Sequence, residues 1–199
     1  MFESRWLKQG KKTQVTNTVK AIADSIPGEG LEFLKNASDY IQKIYPTTAS
    51  NFGSLNIKFP DKRLRSADEL LNSTREDLPG KNLISGCIEI ATIFRALCIA
   101  KRIPTIFVET ISEEWKDDKK ALFPIQGHIF VDVYVDKHWY TINPANSNWH
   151  KSYKNYSLGQ RKYIVLAKGL DSDDLGFYTM DIFYAWLAKE CNKPALVKK

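Results

Sequence analysis

The sequence predicts an α+β chain in which one apolar helix, headed by a cysteine, packs against an antiparallel sheet, with further helices at both ends. Three observations lead there. Two segments near the start carry apolar residues at helical spacing. The stretch from Ile88 to Ile99 is apolar almost throughout and too long for a strand. Between Thr105 and Asn143 the apolar period falls to two, with a short polar interruption that reads as a hairpin.

Val15 to Ile26 is the first expected helix. Leu31 to Tyr45 is the second, with Leu31, Leu34, Ala37, Ile41 and Ile44 on one face; Pro27-Gly28 and Pro46 supply the stops. A polar, Gly/Pro-punctuated loop runs to about Lys62. Ser66-Ala67-Asp68-Glu69 then reads as a capping box opening a short helix through Leu71, broken over Ser73 to Gly80. The apolar helix follows, with Ser85 as its expected N-cap and Glu89, Thr92 and Arg95 as a polar stripe at threefold spacing. After Pro104, Thr105 to Ile111 reads as a strand. His128 to Val135 alternates, with Ile129, Val131, Val133 and Val135 on one face and His128, Phe130, Asp132 and Tyr134 on the other; Trp139 to Asn143 is the return strand. A last helix is expected from about Leu175 to Lys189, its aromatic stripe packing on the N-terminal helices.

With 199 residues the chain is long enough for one continuous core. The expected organisation is a single domain: an N-terminal helical lobe and loop over residues 1–62, a core over 63–170, and a C-terminal helix with a basic tail over 171–199. A composition 43% hydrophobic and 26% charged, without low-complexity segments or repeats, is that of an ordinary globular protein. No stretch approaches the roughly 18 apolar residues of a membrane span, and Met1 to Arg5 opens no signal-peptide apolar region. Three cysteines without a Cys-x-x-Cys pair fit neither a disulfide framework nor a structural zinc site. Free thiols suit a reducing compartment, so the expected location is cytoplasmic. The net charge of +6 comes from scattered basic residues, most with acids nearby, and no basic run is interleaved with aromatics; nucleic acid and membrane are therefore not expected partners.

Chemistry concentrates at three places. Cys87 stands in the first turn of the apolar helix, where unpaired backbone amides and the positive end of the dipole favour a thiolate. His128 follows it by 41 positions at the start of a strand, and Asn143 follows His128 by 15 on the next one. If Asp136-Lys137 is the two-residue turn, Val135 faces His138 and Phe130 faces Asn143, which sets His128 diagonally across from Asn143 on one face. Cysteine, base and orienting group in this order form the minimum for thiol catalysis. Asp132, on the same face as His128, is the acidic alternative to Asn143. His138 in the turn region and His150 in a polar loop read as solvent-facing.

Gly86-Cys87-x-Glu89, Ile103-Pro104 leading into a strand, Gly127-His128-x-Phe130-Val131-x-Val133-Tyr134 and Trp139-x-x-Ile142-Asn143-Pro144 together resemble the transglutaminase-like superfamily, over about Ser66 to Asn146. The resemblance implies a papain-like scaffold, with Cys87 as nucleophile, His128 as base and acid, and Asn143 as orienting group. It also implies chemistry at an amide or peptide bond through a Cys thioester, ending in hydrolysis or acyl transfer. A protein, a peptide or a small amide would be the substrate, and no cofactor or metal is needed. Two positions depart from the family pattern. Asn143 stands where the superfamily usually has aspartate, whereas papain-like proteases use asparagine, and Arg102 stands where glycine commonly precedes Ile-Pro. Glycan-amide hydrolysis, as in peptide N-glycanase relatives, is disfavoured by the lack of flanking Cys-x-x-Cys pairs. The alternative from another class is an inactive transglutaminase-like binding or scaffold domain.

The remaining features have modest expectations. Asn82 and Ser85 are side-chain oxyanion donors by position alone. Asp171-x-Asp173-x-x-Gly176 lacks the later ligands of a calcium loop, since Leu175 and Ile182 occupy them, and reads as the capped start of the last helix. Trp149, Tyr153 and Tyr156 are candidates for a cleft wall.

Overall fold

The computed structural model describes residues 3–44, 64–72, 86–117, 127–145 and 153–191. After a 3-10 turn at Glu3–Leu7 come α1 (Asn17–Ser25), α2 (Gly30–Ile44), α3 (Ala67–Asn72), α4 (Cys87–Ala100), β1 (Thr105–Ser112), α5 (Glu113–Asp117), β2 (Gly127–Val135), β3 (His138–Ile142), β4 (Ser157–Leu158), β5 (Arg161–Gly169) and α6 (Met180–Glu190). The sheet has order β3-β2-β1-β5-β4, and its paired strands are antiparallel. The α+β class is as the sequence predicts.

α4 is the axis of the molecule. It lies on β1 and β2 and is covered by α1, α2 and α3, so residues 88–99 are all buried. Its apolar side chains join Phe33, Leu34 and Ile41 of α2, Phe107 and Ile111 of β1, and Ile129, Val131 and Val133 of β2 in one cluster. The other sheet face carries a smaller cluster of Trp6, Ile106, Val108, Phe130 and Tyr163.

The polar stripe on α4 is buried with the rest and satisfied from neighbouring elements. Glu89 takes a two-pronged ion pair from Arg65 at 3.1 Å. Arg95, with no exposed surface, donates to Lys8 O at 2.8 Å, Thr13 Oγ1 at 2.7 Å and Thr105 O at 3.0 Å. Burial pushes its guanidinium down to about 10, with Asp171 opposing the shift. The stripe therefore ties α4 to the N-terminal segment and to the head of β1. Spacing alone does not distinguish such a stripe from a solvated one.

Local expectations on α3 and the hairpin hold in detail. Ser66 N–H donates to Glu69 Oε2 at 2.7 Å while Glu69 N–H donates to Ser66 Oγ at 3.3 Å, the reciprocal pair of a capping box. In the hairpin Val135 pairs with His138 and Val131 with Ile142. Asp136 and Lys137 both have positive φ, +50° and +64°, as a two-residue turn matched to strand twist requires.

The starts of α4 and α6 differ from expectation. The N-cap of α4 is Gly86, not Ser85; Gly86 has φ +59° and ψ −122°, a combination closed to side chains bearing a Cβ. The last helix begins at Met180 rather than Leu175. Gly176 at φ +83° ends the preceding turns, and Thr179 supplies the cap by accepting from the Ile182 amide at 3.3 Å. Asp171 thus caps no helix. Fully buried, it accepts from the amides of Lys12 at 2.7 Å and Asp174 at 3.0 Å and fastens the N-terminal segment to the loop after β5. The Arg102 departure also has a local cause. At φ +59° it is the left-handed exit of α4, and the Ile103 amide closes back onto Cys98 O at 2.9 Å. Glycine suits that conformation better.

Candidate active site

Cys87 is the first residue of α4 and is half-buried. The Gly86 backbone turns the chain sharply into the helix, leaving the sulfur beside the sheet. There the backbone N–H groups of Ile129, Cys87 and Ile88 favour its anion. The first of these belongs to the residue after His128, so the head of α4 and the start of β2 meet at the thiol. Burial outweighs these amides. The thiol is pushed up to about 12, first by desolvation and then by the nearby Glu109 carboxyl. The depressed thiol expected from helix position alone is therefore not the resting state.

His128 is buried and held at both ends. Its carbonyl accepts from Thr110 Oγ1 at 2.7 Å, its ring meets Phe130 edge-on at 4.9 Å between centroids, and Tyr163 lies 5.9 Å away. Its Nε2 is 2.9 Å from Asn143 Oδ1. That oxygen also accepts from the Ala145 amide at 3.1 Å, forming an Asx turn at the end of β3. A backbone N–H can only donate, so the accepting atom of Asn143 must be its oxygen, and Nε2 must carry the hydrogen. Nδ1 is then the lone-pair nitrogen of the neutral ring. Burial lowers the imidazole to about 4, opposed by the Asn143 bond. The site at rest is a neutral thiol and a neutral imidazole.

Asp132 is not the orienting group. It is fully buried and accepts from Thr141 Oγ1 at 2.7 Å, Tyr156 OH at 2.8 Å and Lys168 Nζ at 2.7 Å. That network joins β2, β3, β5 and the segment before β4. His138 is exposed, with Nδ1 on Asp136 O at 2.7 Å, as expected of a turn-region histidine. Of the cleft-wall candidates, Tyr153 is exposed and Tyr156 lines an open depression with Tyr163, Lys154, Lys162 and Glu113. Asn82, Ser85, Trp149 and His150 lie outside the described residues. Among the described residues no group of His, Cys, Asp and Glu side chains is arranged to hold a metal ion, and no helix is long and apolar enough to cross a membrane.

Sequence reasoning passed over Glu109. It stands in the middle of β1, 1% exposed, and among the described residues no side chain bonds to its carboxyl oxygens, although the Thr110 backbone N–H favours its anion. The signal was an acid inside the apolar run Thr105 to Ser112.

No family model matches the chain, and no curated protein does. Among solved structures the chain is similar to a "Putative Cysteine Protease" from Cytophaga hutchinsonii, at 16% identity and a TM-score of 0.49, with 85% of this chain and 47% of that chain covered. The chain thus spans about half the length of that neighbour. A likeness at this level carries no argument about chemistry.

Proposed function

We propose that the chain is a thiol enzyme of the transglutaminase-like type, acting on an amide or peptide bond through a thioester on Cys87. The observation that carries this reading is the tautomer: Asn143 Oδ1, fixed as an acceptor by the Ala145 amide, requires hydrogen on His128 Nε2 and leaves Nδ1 as the base. The thiol lies beside the amide of the next residue, Ile129. With thiol and imidazole both neutral at rest, proton transfer accompanies attack instead of preceding it. His128 Nδ1 takes the Sγ proton as sulfur bonds to the carbonyl carbon, and the Cys87 amide at the helix start helps hold the oxyanion. The imidazolium then returns its proton to the departing amine as the C–N bond breaks. Water or a second amine resolves the thioester.

A second reading has its own observation. A thiol near 12 and an imidazole near 4 are also what an inactive scaffold would keep. A pH profile of Cys87 alkylation, in the wild type and in His128→Ala, separates the two. The enzyme reading expects the rate at neutral pH to fall on the order of tenfold or more without the base. Equal rates favour the scaffold. In an amidase or peptidase assay Cys87→Ser should be inert and fully folded, whereas Cys98→Ser, in the core of α4, should act on stability alone. The reverse pattern would mean that Cys98 is the working sulfur.

A further inference from the structure

Glu109 is a buried acid that no salt bridge or side-chain hydrogen bond among the described residues explains; the Thr110 backbone N–H favours its anion. It pairs with Ile129 across β1 and β2, and Ile129 is the residue whose amide faces the Cys87 sulfur. Its side chain falls on the sheet face that Ile129 presents to α4, because directly paired residues share a face. On the other side Glu109 pairs with Ala167 and Thr110 with Val165, so β5 bulges at Leu166 beside it. Bulges of this kind often adjoin active sites. A carboxyl in such a place is costly as an anion and is held well above its ordinary range by desolvation, which the Thr110 backbone N–H opposes.

The other titratable groups on the packed elements are engaged elsewhere or lie apart. On α4, Glu89 is paired with Arg65, Arg95 is fully bonded, and the Cys98 thiol is pushed up to about 12 by burial. On β2 and β5, Asp132 and Lys168 hold each other, Tyr134 is half-buried, and Arg161 and Lys162 are exposed. Glu113 and Glu114 of α5 are exposed, and Arg5 of the N-terminal turn lies over Trp6. Cys87, His128 and Tyr163 remain, and Tyr163 itself feels the charge on Cys87.

We propose that Glu109 is a positioning residue that acts through Cys87: carboxyl and thiol share a single negative charge, so the thiolate forms only while Glu109 keeps its proton. This rests on the thiol-enzyme reading. In the working state the Sγ proton passes to His128 Nδ1 while the Glu109 O–H stays intact. Where Glu109 instead loses its proton to solvent, the carboxylate opposes the second charge and Cys87 stays a thiol.

The test is alkylation of Cys87 by iodoacetamide between about pH 6 and 10, read at that residue by peptide mass spectrometry, in wild type, Glu109→Gln and Glu109→Met, with His128→Ala alongside. With the thiol near 12 the profile is still rising across this window, and removing the charge should displace that rise about one pH unit lower and so raise the rate at pH 8 roughly tenfold. Glu109→Met, of similar length and without polar atoms, gives the same reading if Glu109→Gln folds poorly. A merely structural role would move the thermal midpoint and leave the pH profile of the rate in place, and that result overturns the proposal. The two failures are distinguishable. An unchanged pH profile with His128 dependence intact removes only the role of Glu109, whereas a displaced profile with no His128 dependence removes only the enzyme reading.

Discussion

Asn143 offers the sharpest test of the site. In Asn143→Ala the oxygen that accepts from both His128 Nε2 and the Ala145 amide is lost. Both donors belong to residues only 8% exposed. A buried donor left without a partner costs about 1–3 kcal/mol, so the pair should cost about 2–4 kcal/mol once some rotation of the imidazole is allowed. The kinetic effect is separate. Without Oδ1 the ring no longer has to keep hydrogen on Nε2, and Cys87 alkylation at neutral pH should slow on the order of tenfold. Asn143→Asp should do the opposite, because a carboxylate supports the imidazolium.

The pH dependence follows from His128. Its folded value of about 4 lies below the ordinary 6.5, so between these values the unfolded chain binds a proton that the native chain does not. Stability is full above pH 6.5 and falls as pH drops toward 4, by about 3 kcal/mol in all. In Asn143→Asp the raised imidazole should take up its proton in the folded state, and the loss should shrink. Urea denaturation at pH 7.5, 6 and 5 measures this, in a range where ordinary carboxylates stay mostly ionised. If Asn143→Ala leaves both the urea midpoint and the alkylation rate at wild-type values, the inferred tautomer and its purpose are wrong.

Two further outcomes test the frame that holds the site. Arg95→Ala should cost about 3–5 kcal/mol in urea denaturation, since it strands three acceptors and removes a buried charge near Asp171. Arg95→Lys should restore little, because one ammonium cannot span three acceptors in the same plane. Arg102→Gly should raise the thermal midpoint by up to roughly 2–4 °C by relieving the φ of +59°, and Arg102→Val should lower it.

Wherever neighbours along the chain carry the information, the sequence determined the outcome. The capping box at Ser66, the alternation of β2, the two-residue turn at Asp136-Lys137 and the register that sets His128 near Asn143 are all local, because a period of two and a fixed turn length leave one pairing. The helix beginning at Cys87 was legible from apolarity alone. Its cap was not, because Ser85 and Gly86 both suit that place and only the path into the helix selects Gly86. The start of α6 had the same ambiguity, settled by the Thr179 hydroxyl.

Tertiary structure alone decided the electrostatics. Position at a helix start favours a thiolate, but desolvation by burial is the larger effect, and it depends on what packs over the sulfur. Nor does spacing reveal that Asp132 is consumed by Thr141, Tyr156 and Lys168, or that Asn143 Oδ1 is pinned by Ala145. Glu109 is the extreme case. Its sequence context shows an acid in a strand, and only the pairing of β1 with β2 and the seat of α4 above them bring that acid within electrostatic reach of the thiol. Charges interact through space and through whatever dielectric the fold creates between them, so groups far apart in sequence acquire their chemistry only when the chain has closed.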